Sequence, residues 1–403
     1  MAEKITGNML IAQSGGPTVV INQSLVGAVL EAKKHARIKG IYGSLFGVRG
    51  ILEENFVDLG KETTATLMRV ARTPSSALGS VRRKPSEEDC DIIFTVLQKY
   101  DIRYFFYIGG NDSAETTNIL NENARKVGYD FHCFHIPKTI DNDLRENDHT
   151  PGYGSAARFV ACAVMGDNLD NRALPGVKIN IVMGRHAGFL TAAGTLARIF
   201  PGDGPHLVYC PEHPFSLERF LTDVDAVYKK TGRCIICASE GISDGKGEPI
   251  ISRYTRETDS HGNIQLSGSG ALGDLLATRI KTELKISRVR ADTFGYLQRS
   301  FPGVVSEVDA CEAFAVGQAA VRQATAGVRD GSITIVRKPG KTYGVEYRRV
   351  DISKVARQTR HMPGDFISKE GNDVTEAFIA YAKPLVGKLP EIAQLKTFPV
   401  RKK

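Results

Sequence analysis

The residues best equipped for chemistry lie in one short segment, Pro137-Lys138-Thr139-Ile140-Asp141-Asn142-Asp143. Two carboxylates stand at i and i+2, with a lysine and a threonine just before them. One carboxylate can act as a base toward a hydroxyl while the other helps hold a metal ion, and the lysine can neutralise phosphoryl charge. A solvated turn is the competing reading, although the groups are dense for one. A second segment, Gly109-Gly110-Asn111-Asp112-Ser113, puts two glycines before a carboxylate and a hydroxyl. That combination can hold a metal-bound phosphate, because Mg²⁺ takes one or two protein oxygens plus substrate phosphates. Asp112 or Ser113 could equally be a helix N-cap. In a third, Ser14-Gly15-Gly16-Pro17-Thr18, backbone N–H groups can approach a phosphate at the positive end of the next helix, or simply form a strand-to-helix turn.

Each segment follows a short apolar run, at 8–13, 103–108 and 131–136, that reads as a buried strand. Further strands are expected at 178–183, 207–210 and 234–238. Helical patterns occupy 22–36, 86–100, 114–126, 154–169, 187–199 and 216–229. Strands alternating with helices imply parallel sheets with right-handed crossovers, hence an α/β fold. Residues 241–270 interrupt the rhythm with a polar, glycine-rich stretch that reads as an inserted hairpin. Beyond about residue 340 the pattern loosens, and 398–403 reads as a frayed tail.

Composition narrows the function classes. A chain of 403 residues, 42% hydrophobic and 24% charged, suits two or three globular domains and excludes wholesale disorder. The 40 glycines exceed ordinary usage and suit many tight turns. Seven cysteines, an odd number spread from Cys90 to Cys311, form no disulfide framework and point to a reduced, cytoplasmic protein. With no apolar run of about 18 residues and no signal-like start, secretion and membrane spanning are not expected. Lys and Arg total 53 against 45 Asp and Glu, and this excess of 8 favours anionic partners. The basic stretches at 337–341 and 401–403 lack interleaved aromatics, so they read as solvated charge and no nucleic-acid partner is expected. Cys234 and Cys237 sit in an apolar run without a second pair, which suits core thiols better than zinc. His132 and His135 fall on opposite faces of a strand and make no joint ligand pair.

Five motifs, SGG, GGNDS, PKTIDND, MGRHAG and GYLQR, occur in this order between Gly15 and Arg299. In that combination the chain resembles the phosphofructokinases, and in particular their pyrophosphate-dependent 6-phosphofructokinase variant. The resemblance implies two Rossmann-like three-layer lobes with mostly parallel sheets, the chain exchanging between them near Tyr153 and Tyr296. Residues 1–153 plus about 297–340 would form the phosphoryl-donor lobe; 154–296 plus about 341–403 would form the sugar-phosphate lobe, with the insertion at about 241–270. The implied reaction is reversible transfer of phosphate from pyrophosphate to the 1-hydroxyl of fructose 6-phosphate, with Mg²⁺, in a homodimer or homotetramer. ATP as donor, or another sugar phosphate such as sedoheptulose 7-phosphate, is the alternative.

The resemblance also implies roles. Gly15 and Arg82 would contact pyrophosphate. Asp141 would be the base, with Thr139 and Ile140 beside it at the substrate, and Asn111 and Asp143 would hold the metal. Met183, Gly184, Arg185 and Glu240 would bind the sugar, Arg185 also stabilising charge. Arg290, Tyr296 and Arg299 would clamp the 6-phosphate, at least one of them across a subunit interface, with Lys178 the nearest candidate for a further cation. Asp112 and Lys138 would select the donor, since both positions are glycine in the ATP-using relatives. A carboxylate about 4 Å from a nucleotide α-phosphate costs roughly 4 kcal/mol at an effective dielectric near 20. Asn111 departs from the family's usual aspartate.

Overall fold

The computed structural model describes residues 5–253, 269–340 and 342–401. The apolar runs become strands because parallel sheets bury both faces: β1 (Gly7–Gln13), β4 (Ile102–Gly109) and β5 (His132–Pro137) are almost wholly buried. They form the centre of a seven-stranded sheet with β2 (Ile38–Ser44), β3 (Phe56–Asp58), β10 (Asp330–Arg337) and β11 (Val345–Val350), in the order β11-β10-β5-β4-β1-β2-β3. Pairing is parallel except at the two edges, β2 with β3 and β10 with β11. A second sheet, ordered β7-β8-β6-β9, is parallel throughout and contains β6 (Val177–Val182), β7 (Leu207–Tyr209), β8 (Cys234–Ser239) and β9 (Val289–Thr293).

Register brings the chemical loops together. Gln13 lies opposite Ile108, and Gly109 opposite Pro137, so the three loops leave adjacent strand ends. In the second sheet Val182 pairs with Ser239, which places the 183–188 loop beside Glu240.

Some expectations are corrected. The chain after residue 340 returns to the first sheet: β11 pairs antiparallel with β10, and Ile352 and Val355 pack with Ala114 and Leu144. Its pattern looks loose because an edge strand keeps polar residues on its open side. Apart from Tyr343, which packs against it, the chain joins the apolar cluster around Ala157 and Phe189 from about Met362, through the helix Glu376–Val386. The stretch expected as one helix at 187–199 is a short helix, Phe189–Ala193, followed by a 3-10 turn, Gly194–Ala197. Of the expected hairpin, a Ser243–Pro249 bridge and a 3-10 turn at Ile250–Arg253 are present; 254–268 fall outside the described residues.

All seven cysteines are free thiols. His135 bridges Ser332 Oγ and the Gly109 carbonyl, each at 2.9 Å, so it braces a chemical loop.

The helices Ile21–Ala32 and Glu307–Thr325 cross so closely that a Cβ on Gly27 would lie 2.1 Å from the Phe314 carbonyl, and one on Gly317 2.1 Å from that of Ser24. The crossing is closed by Glu31 with Arg322, 2.9 Å apart, and the Arg322 hydrogen bond is the chief cause that holds the Glu31 carboxyl at about 2. A shift of that size corresponds to at most about 3 kcal/mol. Because solvent reaches the Arg322 guanidinium, about 1 kcal/mol is expected to survive. A depressed folded-state value makes this contribution complete above the ordinary carboxylate range and removes it as pH falls toward 2. Glu31→Gln should therefore lower the thermal midpoint at pH 7 but converge on the parent protein at acid pH.

Candidate active site

The loops after β1, β4 and β5 meet the 183–188 loop and Glu240 around a cavity of about 810 Å³. Its lining includes Gly15, Arg82, Asn111, Asp112, Lys138, Thr139, Ile140, Asp141, Asp143, Met183, Arg185, Glu240 and Arg299. Thirteen of the sixteen site residues expected from sequence are thus brought together. Gly184 lies behind the lining: at φ 138° its Cβ would meet the Ala187 carbonyl at 2.4 Å, so glycine shapes the loop. Arg290 and Tyr296 are exposed outside the cavity. Arg290 points off edge strand β9, and the Tyr296 ring lies 4.5 Å from the Arg299 guanidinium. A three-residue clamp within one chain is therefore not formed; Arg299 alone enters, facing Gly16 so closely that a Cβ there would lie 2.5 Å from its Nη1. Lys178 is also outside, paired with Asp167 at 3.5 Å and with Asp292.

Lys138 is 3% exposed and donates from Nζ to the Gly16 carbonyl at 2.6 Å, tying the β5 loop to the β1 loop. Burial, reinforced by Arg299 and Arg82, lowers its pKa to about 7. A cation held this way gains strongly from an anionic ligand. Asp141 is raised above the ordinary aspartate value, mainly by burial, while Lys138, Arg299, Arg82 and Arg185 pull it back. Asp143 is raised by burial and then by the Asp141 charge. Two half-buried carboxylates lie within reach of four cations, Lys138, Arg82, Arg185 and Arg299, an arrangement suited to a general base.

Asn111 donates from Nδ2 to Asp143 at 3.0 Å, and its Oδ1 is buried without a hydrogen-bond partner. An orphaned oxygen beside a carboxylate is a hard donor pair, which suits Mg²⁺. Among the described residues no group of three or more His, Cys, Asp or Glu side chains could hold a metal ion. Any ion here would draw its remaining ligands from substrate or water.

The sequence model of the phosphofructokinase family matches residues 8–324. The chain belongs to the phosphofructokinase family. It is 55% identical over 399 residues to a Rhodospirillum rubrum protein named pyrophosphate--fructose 6-phosphate 1-phosphotransferase, covering 98% of both chains. A Xanthomonas campestris pv. campestris protein of the same name is 37% identical, again with 98% of each chain covered. Among solved structures, the pyrophosphate-dependent phosphofructokinase of Nitrosospira multiformis superposes with a TM-score of 0.85 at 32% identity, covering 98% of this chain and 95% of that one. The mixed α/β architecture with two mostly parallel sheets is that of the phosphofructokinases.

Two charged residues of the lining, Arg83 and Lys84, are not legible as site residues in the sequence. Lys84 lines the cavity and bridges Asp112 at 3.2 Å and Glu115 at 2.6 Å, while Arg357 takes the other Glu115 oxygen at 2.7 Å. The basic run Arg82-Arg83-Lys84 is the sequence signal for them, since all three residues line the cavity. Tyr107 also lines the cavity from β4, its hydroxyl pushed up to about 12 by burial. His186 lines it too, next to Arg185.

Proposed function

We propose that this phosphofructokinase transfers phosphate from pyrophosphate to the 1-hydroxyl of fructose 6-phosphate, giving fructose 1,6-bisphosphate and orthophosphate, and that it runs in both directions. The observation that carries the reading is that Lys138, Arg82, Arg185 and Arg299 line one cavity with the half-buried Asp141. Pyrophosphate occupies the first-sheet side, between Gly15, Arg82, Lys138 and Asp112. The sugar lies toward Met183, Arg185 and Glu240, with Thr139 and Ile140 at the junction.

Asp141 takes the proton from the attacking hydroxyl. The oxygen of the C1 hydroxyl forms the new O–P bond, the bridging P–O bond of pyrophosphate breaks, and orthophosphate leaves with the bridging oxygen. Lys138 and Arg185 neutralise the moving phosphoryl group, whose transfer depends mainly on positioning and charge. Asn111 Oδ1 and Asp143 would hold Mg²⁺, which supplies charge neutralisation on the phosphates when bound. Asp112, braced by Lys84, would repel the α-phosphate of a nucleotide and so disfavours ATP as donor.

Arg290 and Tyr296 serve a second copy of the chain in a homodimer or homotetramer, which accounts for their exposure. The protein works in the cytoplasm, in keeping with its free thiols. No helix among the described residues is long and apolar enough to cross a membrane. The test is a product assay: purified protein with Mg²⁺, pyrophosphate and fructose 6-phosphate should release fructose 1,6-bisphosphate and orthophosphate in equal amounts. No product in either direction would reject the reading.

A further inference from the structure

Between the two site carboxylates sits Asn142, fully buried and at φ 61°. A left-handed backbone costs an ordinary residue roughly 1–2 kcal/mol, and such a conformation persists where its surroundings over-determine it. Both ends of the Asn142 amide are engaged. Oδ1 accepts from the Thr150 N–H at 3.1 Å, and Nδ2 donates to the Tyr381 hydroxyl at 2.6 Å. That hydroxyl donates in turn to the Asp148 carbonyl at 2.7 Å. One phenol oxygen therefore spans the loop from its catalytic end to its return.

Tyr381 comes from the helix Glu376–Val386, far along the chain and packed on the apolar cluster around Ala157 and Phe189. Its ring lies 5.9 Å from that of Phe189, the residue just after the 183–188 sugar loop. Arg360 repeats the connection: its N–H reaches the Asp143 carbonyl at 2.7 Å, its Nη1 the carbonyls of Asn147 and Asp148, and its guanidinium lies 4.8 Å from the Phe189 ring. Arg337 covers Tyr381 at 4.3 Å. The C-terminal segment thus holds, on the same side chains, the loop carrying Asp141 and the base of the loop carrying Arg185.

We infer that Tyr381, acting through Asn142, is a positioning residue that fixes the Asp141–Asp143 carboxylates relative to the sugar loop of the other sheet. The inference rests on the reaction proposed above. Transfer chemistry is sensitive to displacements well below 1 Å, so a clasp of this kind is read in turnover more than in binding.

Tyr381→Phe removes the hydroxyl and keeps the ring in its packing. It should leave the thermal midpoint within about 2 °C, lower kcat about 10-fold and change the KM of either substrate less than about 2-fold. Asn142→Gly tolerates the left-handed backbone and should lose at least as much turnover. The double variant should be no slower than Asn142→Gly alone, because both changes break one connection. Wild-type kcat in Tyr381→Phe, or losses that multiply in the double variant, would overturn the inference. Amide hydrogen exchange over residues 139–150 supplies a readout independent of the reaction. It should rise in Tyr381→Phe even if wild-type protein made no fructose 1,6-bisphosphate, a result that would sink the reaction alone; unchanged exchange would remove the clasp.

Discussion

Asp141→Asn should lower turnover about a thousandfold, within the 10²–10⁴ range of a positioned general base, while leaving fructose 6-phosphate binding within a few-fold. The side chain is nearly isosteric and the loop is held by Asn142, Thr150 and Arg360 rather than by Asp141 itself, so the fold has no reason to change. Asp141 is suited to the task because burial raises its proton affinity while Lys138, Arg299, Arg82 and Arg185 oppose that rise. Removing the carboxylate also removes a negative charge from beside Lys138, Arg82, Arg185 and Arg299. Anion binding should consequently stay the same or tighten. A rate loss with unchanged or improved substrate affinity separates a lost base from a damaged site; steady-state kcat and KM against both substrates, with a thermal midpoint, provide the check.

Lys138→Met should cost at least a hundredfold in turnover, in line with the roughly 3–4 kcal/mol lost when one preorganised charge-stabilising donor is removed. Pyrophosphate carries no adenosine whose remote contacts could help position it, so the charge at the transferring group matters more. The stability of the free protein should move in the opposite direction. Lys138 is buried, and its pKa of about 7 lies below the ordinary lysine value, so the unfolded chain binds more protons between those two values. Stability of the parent therefore rises with pH across that interval. Met carries no charge to bury, so the variant should melt higher at neutral pH, and its advantage should shrink as pH climbs toward 10. The lost hydrogen bond to Gly16 offsets part of this gain. Higher stability with a hundredfold slower enzyme is hard to obtain unless the ammonium serves chemistry at the expense of the fold. Near-normal turnover would remove Lys138 from the proposed mechanism.

Much of the site is legible in the sequence because it depends on local features. Gly109 must be glycine since a Cβ would meet Ser113 Oγ at 1.9 Å, and the loops of β1, β4 and β5 converge as soon as their strands pair in parallel. What escapes depends on distant chain. Lys84 meets Asp112 only through the fold, and in sequence it reads as one more solvated lysine. Lys178 has the right charge for a helper cation, but its strand faces Asp167 and Asp292 instead. Strand β11, VEYRRV, shows no buried face to a periodicity reading because it closes an open edge. Tyr381 is silent because its partner lies far away in the chain: a tyrosine in an apolar helix is ordinary until Asn142 is found at the end of its hydroxyl.

Donor preference is the decisive property of the enzyme. Pyrophosphate and ATP should be compared on the same preparation with fructose 6-phosphate and Mg²⁺. Rapid formation of fructose 1,6-bisphosphate with pyrophosphate is expected, with a kcat/KM for ATP lower by at least about a hundredfold, if Asp112 and Lys138 select the donor as proposed. Equal use of ATP, or a preference for it, would contradict the account.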